Sequence, residues 1–357
     1  MVKKILLSIL VLVILGILYL LFWPVPFDPE AWTPETLPAL AGGYEPNTKL
    51  ASIEKLKLDG GKGPEDTAID SQGRIYTGVE DGRILRIQPN GKSVKVFCDT
   101  KGRPLGMEFD AAGNLIVADA FKGLISVNPN GKITVLAKEA DGIPIRFADD
   151  LDIAADGTIY FSDASIKFSY HELLLDLFEH RGNGRLLAYD PKAKTTRVLL
   201  DHLYFANGVA LSPDESFVLV NETWKYRIKR YWLAGSKKGQ SDIFINNLPG
   251  YPDNITSNRN DTFWLALVQG PETRKTLDSL LPKPFLRKII SRLPESLSPA
   301  PTVVGYVLGL DVSGNVIHNL QDPTGEFYGE ITSASEHNGM LYIGSLSETA
   351  LGYIAAP

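Results

Sequence analysis

A repeated hairpin constrains this chain more than any other feature. From Phe147 to Asp163 the sequence reads FADDLDIAADGTIYFSD: an alternating apolar run (Leu151, Ile153), an Asp-Gly turn at 156–157, and a second run from Thr158 to Ser162. An Asp-Gly pair between two such runs is a strong hairpin signal. Equivalent turns fall at Gly73, Gly113, Gly157, Glu215, Asp261 and Gly339, so successive copies lie 40, 44, 58, 46 and 78 residues apart. A propeller blade of four antiparallel strands takes about 40–50 residues, which matches the shorter intervals. Six copies therefore predict an all-β fold, a six-bladed β-propeller. Alternation from Leu50 to Leu58 predicts a strand that joins the last copy, Leu341 to Tyr353, and closes the ring.

The two long intervals hold helical inserts. Residues 164–183 carry YHELLLDLFEH, and residues 270–302 carry TLDSLLPKPFLRKIISRL. Helical pieces that occur twice exclude a parallel α/β fold, which needs one between most strands. The segment 274–293 mixes apolar residues (Leu277, Leu280, Leu281, Phe285, Ile289, Ile290, Leu293) with basic ones (Arg274, Lys275, Lys283, Arg287, Lys288, Arg292) around Pro282 and Pro284. That pattern fits a basic amphipathic helix on anionic lipid, a lid over a pocket, or a helix packed on the rim with a solvated face.

In a closed ring of repeats, one register position from every copy converges on the axis. Eight residues before each turn stand Glu65, Leu105, Asp149, Asn207, Asp253 and Ile331. Glu65, Asp149, Asn207 and Asp253 are thus candidate ligands of one hard cation, and the oxygen-only donor set points to calcium. That ion takes 6–8 oxygens, so four side chains leave positions for water and substrate. Asp150 and Asn254, one residue on, are the candidate second shell of partners that orient the ligands. A lone Asp or Asn at a strand start usually caps a turn, but four in one register favour the ion. Phe147, Phe205 and Tyr251 stand two residues before three of the ligands. With Trp224 and Trp264 they are the candidate lining of a pocket for an apolar or aryl small-molecule substrate; packing between blades is the competing role.

The chain's 44% hydrophobic and 10% aromatic residues suffice for a large core. A net charge of −6 and a pI near 5.5 argue against nucleic acid as a partner. The one cysteine, Cys98, lies in an apolar run that predicts an inert, buried thiol. No zinc-type Cys/His spacing, G-x-S-x-G motif or phosphate-binding glycine loop is present. Residues 1–23 begin Met-Val-Lys-Lys and are apolar from Ile5 to Phe22 except at Ser8, Gly16 and Tyr19. As a helix that run spans about 27 Å, close to the hydrocarbon thickness of a bilayer. A cleavable signal peptide has a shorter apolar core and a small-x-small site, which this run lacks. It reads as an uncleaved transmembrane anchor, with the N-terminus cytoplasmic and the body extracytoplasmic, whether periplasmic, lumenal or extracellular. Residues 24–49 hold six prolines and read as an extended tether, leaving 50–357 for the propeller.

Several motifs combine into a resemblance: GPED (63–66), FADDLDIAADGTIYFSD (147–163), GRLLAYD (184–190), FANGVALSPDESFVLV (205–220), GYPDNI (250–255) and EHNGMLYIGSL (336–346). Together they resemble the strictosidine synthase-like branch of the calcium propeller superfamily. That superfamily also holds the SMP-30/gluconolactonases, the paraoxonases and diisopropyl-fluorophosphatase. The resemblance implies a six-bladed fold and a central calcium held by residues matching Glu65, Asp149, Asn207 and Asp253. Asp149 departs from the Asn common in the family and adds a negative charge. Strictosidine synthases use a glutamate shortly before the turn that matches EHNG. Thr332 and Ser333 stand there in this chain and Glu330 lies further upstream, which counts against alkaloid condensation. Hydrolytic relatives polarise a lactone, ester or phosphoester oxygen with the metal, and the aspartate matching Asp253 serves as base or nucleophile. The implied function is a membrane-anchored calcium-dependent hydrolase, a lactonase or arylesterase, with Asp253 catalytic. The alternatives are a carbon–nitrogen condensing enzyme relying on Glu330, and a non-catalytic propeller that binds a ligand or partner around a structural calcium.

Overall fold

The computed structural model describes residues 1–89, 91–294 and 301–357. Asn90, in the first copy's last turn, and residues 295–300, within the second insert, lie outside the described residues. Among the described residues, six four-stranded antiparallel sheets follow one another along the chain. Their first strands are Thr67–Ile69, Pro104–Phe109, Ala148–Ile153, Ala206–Leu211, Tyr251–Ser257 and Ile331–His337. Each first strand contacts the first strand of the next sheet, and the sixth contacts the first, so these strands surround an axis. The molecule is a six-bladed propeller. The ring closes where Glu54–Lys57 pairs antiparallel with Ala350–Ala355, setting Leu56 opposite Leu351. This closing strand is shorter than the alternation suggested. Residues 49–52 form a 3-10 turn instead, which buries Leu50 in a cluster with Tyr328.

Burial explains the sequence pattern of each blade. Second strands such as Leu115–Asp119, Ile159–Asp163 and Phe217–Glu222 are buried at every residue, because neighbouring blades cover both faces. Outer strands such as Val94–Asp99 are half exposed, with Lys95 and Val96 facing solvent. Cys98 is buried there, and burial pushes its thiol up to about 12, so it stays protonated and inert.

In an antiparallel meander, every first strand starts at the same end of the axis, here called the upper end. The loops from second to third strand, and from fourth strand to the next blade, share that end. Both inserts are loops of this kind, in blades three and five, so both sit on the upper face. The first holds a 3-10 turn (Tyr170–Glu172) and helix α2 (Leu173–Glu179); the second holds α3 (Pro271–Asp278) and α4 (Pro284–Ile290). At the chain's start α1 (Val2–Phe22) is long and apolar enough to cross a membrane, and none of its residues is buried against the rest.

One irregularity recurs. Pairing between first and second strands shifts between Pro104 and Met107, Ala148 and Leu151, Ala206 and Val209, Pro252 and Ile255, and Ile331 and Ala334. A bulge of this sort breaks the alternation of side chains and re-aims the residues it contains. Asp149–Asp150, Asn207–Gly208 and Asp253–Asn254 therefore occupy equivalent bulges. Gly208 has a packing reason to be glycine: a Cβ there would collide with the Ile255 nitrogen and the Asp253 carbonyl of the next blade. Gly208→Ala is expected to destabilise the fold by about 1–3 kcal/mol, as overpacking does in a tight interior. The check is the urea midpoint of the variant against wild type.

Candidate functional site

The bulges bring Asp149, Asn207 and Asp253 to the upper end of the axis, where Glu65 stands two residues before the first strand of blade one; all four are buried. They influence one another directly. Burial first, then Asp253, Asp149 and Asp66 nearby, push Glu65 well above the usual carboxylate range. Burial and then Asp253 do the same to Asp149. Burial pushes Asp253 up to about 7, against a hydrogen bond from the Asn207 side chain that lowers it. Asn254 Nδ2 donates to Glu65 Oε1 at 3.2 Å, and Asn221 Nδ2 donates to the Asp253 carbonyl. Thr332 Oγ1 donates to the Glu65 carbonyl at 2.6 Å, giving that position a structural role.

Three buried carboxylates at one hub need protons or a cation. Glu65 Oε2 and Asn207 Oδ1 are buried without any hydrogen-bond partner, and both belong to the expected ligand set. An oxygen-only set with unpartnered acceptors suits a hard divalent cation such as calcium. Among the described residues, no three Asp, Glu, His or Cys side chains already stand close enough together to hold an ion. Electrostatic coupling and orphaned oxygens mark the hub as the place where a cation would sit. The residues fit the ion, and binding requires them to draw in.

Arg103 escaped the sequence reading. It is buried, its Nη1 donates to the Gly63 carbonyl at 3.1 Å, and its charge lowers both Glu65 and Asp149. Three carboxylates, one guanidinium and one divalent cation sum to zero, so Arg103 offsets the extra charge that Asp149 brings. The signal was present: Arg103 stands two residues before Leu105, the register position that holds Phe147, Phe205 and Tyr251 in other blades.

The residues one step on divide in their roles. Asn254 reaches Glu65, as above. Asp150 turns away: its Oδ2 accepts from the Val209 nitrogen of the next blade at 2.8 Å and its Oδ1 from the Leu151 nitrogen at 2.8 Å. Asp66 Oδ2 likewise accepts from Met107 nitrogen at 2.9 Å. These carboxylates stitch blades together across the bulges. Below them a cavity of about 260 Å³ opens toward the lower end, lined by Asp66, Glu108, Asp150, Asp152, Arg259 and Glu336 among others.

Four of the five candidate pocket aromatics form one layer at the upper end. Phe147 meets Phe205 edge-on at 5.3 Å, Phe205 meets Trp224 at 4.6 Å, and Trp224 meets Tyr251 at 5.9 Å between ring centroids. Trp264 does not join them. It is the second residue of the second strand of blade five, opposite Thr256 at the lower end of an antiparallel pair, and donates to Glu336 Oε2 at 2.8 Å.

The layer is roofed rather than open. Tyr170 of the first insert packs on Phe147 at 5.6 Å, and Asp176 accepts from Trp224 Nε1 at 2.8 Å. Arg287 is fully buried and ties three segments by donating to the carbonyls of Phe178, Glu30 and Leu281. The proline-rich residues 24–48 are accordingly a strap as well as a link. Phe27 packs on Phe178, and Trp32 stacks on the buried His180 at 4.7 Å. The second insert also departs from a simple basic amphipathic helix: Arg274 and Arg287 point inward while Phe285 is exposed. Glu330, the residue a condensing enzyme would need, accepts from Gln269 at 3.5 Å.

Comparisons with known proteins agree with this architecture. The strictosidine synthase profile matches residues 149–236, and the profile for the N-terminal part of strictosidine synthase-like proteins matches residues 42–87. The adipocyte plasma membrane-associated protein of Bos taurus is 38% identical over 95% of this chain and 86% of its own length. Strictosidine synthase-like 6 of Arabidopsis thaliana is 39% identical over 79% of this chain and 76% of its own. Among solved structures, a gluconolactonase from Xanthomonas campestris superposes with a TM-score of 0.62 at 18% identity, covering 93% of this chain and 98% of that one. A calcium-binding regucalcin from Agrobacterium tumefaciens superposes with a TM-score of 0.55 at 13% identity, covering 82% and 92%. At those identities the structural likeness bears on the fold alone.

The raised carboxyls give a pH signature. Without a cation, the folded protein holds protons on Glu65, Asp149 and Asp253 that the unfolded chain releases near its ordinary carboxylate range. Metal-free stability should therefore fall as pH rises from the usual carboxylate range through about 7, where Asp253 titrates. A bound divalent cation would replace those protons and should flatten the fall. Melting temperature against pH, with chelator and with excess calcium, checks this; coincident curves would contradict it.

Proposed function

The chain belongs to the strictosidine synthase-like family, and from that premise we propose that it is a membrane-anchored, calcium-dependent hydrolase of lactones or aryl esters. One observation carries the reading: three carboxylates and an amide, buried at the hub, include two orphaned oxygens and a carboxyl poised near neutrality. Propellers of this fold include a gluconolactonase and a calcium-binding regucalcin, the reaction class and the ion adopted in this reading.

Glu65, Asp149, Asn207 and Asp253 would hold calcium, which supplies Lewis-acid polarisation of a carbonyl oxygen when bound. Asn207 has two tasks in this scheme. Its amide hydrogen-bonds the Asp253 carboxyl and leaves its own oxygen free for the ion. Asp253, ionised once the cation is bound, would take the proton from an attacking water or attack the carbonyl itself. The aromatic layer of Phe147, Phe205, Trp224 and Tyr251 excludes water and accepts an apolar or aryl group once the roof over it opens. Arg103 keeps the loaded site near neutrality by offsetting the negative charge left when three carboxylates surround one divalent cation.

Screening aryl acetates and lactones with and without chelator tests the activity. Turnover should require calcium, and Asp253→Asn should lower it by about 10²–10⁴-fold while still binding the metal. Calcium-independent turnover, or full activity in the variant, would contradict the mechanism. A melting temperature that depends on calcium without any turnover would instead assign the ion a structural role.

A further inference from the structure

The exposed apolar residues of the propeller are distributed unevenly. Outside α1 and its flanking tryptophan, the large exposed hydrophobics among the described residues fall into three groups. Val96, Val135, Ile243 and Ile317 lie on the outer strands at the rim, and Val312 lies in a hairpin turn at the lower end. All the others belong to upper-face loops, including Phe121, Ile143, Leu174, Phe285 and Phe327. Leu174 and Phe285, one from each insert, are both 60% exposed. Single exposed apolar side chains are ordinary, but their concentration on one face marks a docking surface.

The chain itself indicates the occupant. Trp23 follows α1 directly, and Phe27 is already packed against Phe178 of the roof. Phe27 stands four positions after Trp23, a reach of at most about 14 Å when fully extended. Arg292 of the second insert also donates to the carbonyls of Leu20 and Trp23 at the helix end. Once α1 spans a bilayer, the upper face cannot stand clear of it, because the headgroup layer alone is about 5–8 Å deep. A protein partner would have to displace lipid from the same place.

We propose that the upper face of the propeller lies on the membrane that α1 enters, with Leu174, Phe285 and Phe121 immersed in its interface. The aromatic layer lies directly under the two inserts, so the pocket faces lipid. Resting on the hydrolase reading, this assigns the substrate class: an ester or lactone lipophilic enough to partition into the bilayer and reach the site from it.

The test uses the full-length chain in phosphatidylcholine nanodiscs. Leu174→Cys and Phe285→Cys carry a nitroxide label in turn, with Val312→Cys as the lower-face control; buried Cys98 does not compete for label. Labels at 174 and 285 should favour collision with oxygen over a water-soluble nickel chelate, and the label at 312 should show the reverse. Water-type accessibility at both upper positions would overturn the proposal. A second arm compares Phe285→Asp and Leu174→Asp with wild type on two substrates. The variants should lose turnover of a bilayer-dissolved long-chain ester and keep that of a water-soluble aryl acetate. Equal loss on both, or on neither, would overturn lipid as the source of substrate. Absence of all hydrolysis would remove the hydrolase reading and leave the accessibility result to decide the docking.

Discussion

Mutual repulsion among buried carboxylates is the interaction on which the rest of this structure turns. Glu65, Asp149 and Asp253 come from three different blades and are all removed from water. The Asn254 and Asn207 amides and the Arg103 charge solvate them only in part, so each holds its proton well above the range of an exposed carboxyl unless a cation takes its place. Such an arrangement costs stability in the empty protein and is retained only where the charges do something. The propeller supplies the rigidity that makes the cost bearable: six sheets packed face to face hold the hub in place, and the bulges set which side chains enter it.

Adjacent residues at the upper ends of the first strands divide the labour. In blades one and three the first carboxylate of each pair, Glu65 or Asp149, joins the hub. The second, Asp66 or Asp150, accepts a backbone N–H from the following blade. A peptide group freed by the bulge is thereby satisfied, and the ring is sewn together just beneath the candidate metal position. Chemistry and ring closure are thus mechanically linked, and the tight approach of Gly208 to blade five belongs to the same design.

Much of this was legible in the residues. The turn period identified six blades, and the shared register position identified four buried side chains at the hub, because a closed ring turns sequence periodicity into spatial convergence. Other features were not legible for reasons equally physical. Alternation says which face a residue takes only where pairing is regular, so it could not separate Asp150 from Asp149 inside a bulge. Trp264 looked like a neighbour of Trp224 until antiparallel pairing put it at the other end of its blade. Six prolines declare an extended segment but not what it lies against, and the docking of Phe27 and Trp32 depends on inserts far along the chain. Arg287, read as the polar side of an amphipathic helix, is buried because three backbone carbonyls from separate segments converge on it.

The measurement closest to the central claim is the calcium content of the purified full-length protein after equilibrium dialysis, compared with that of Glu65→Ala. Glu65 contributes to the hub alone, with one oxygen already held by Asn254 and the other without a partner. The account predicts that the variant folds and carries one calcium fewer per chain than wild type. The same calcium content in both proteins, or none in the wild type, would contradict it.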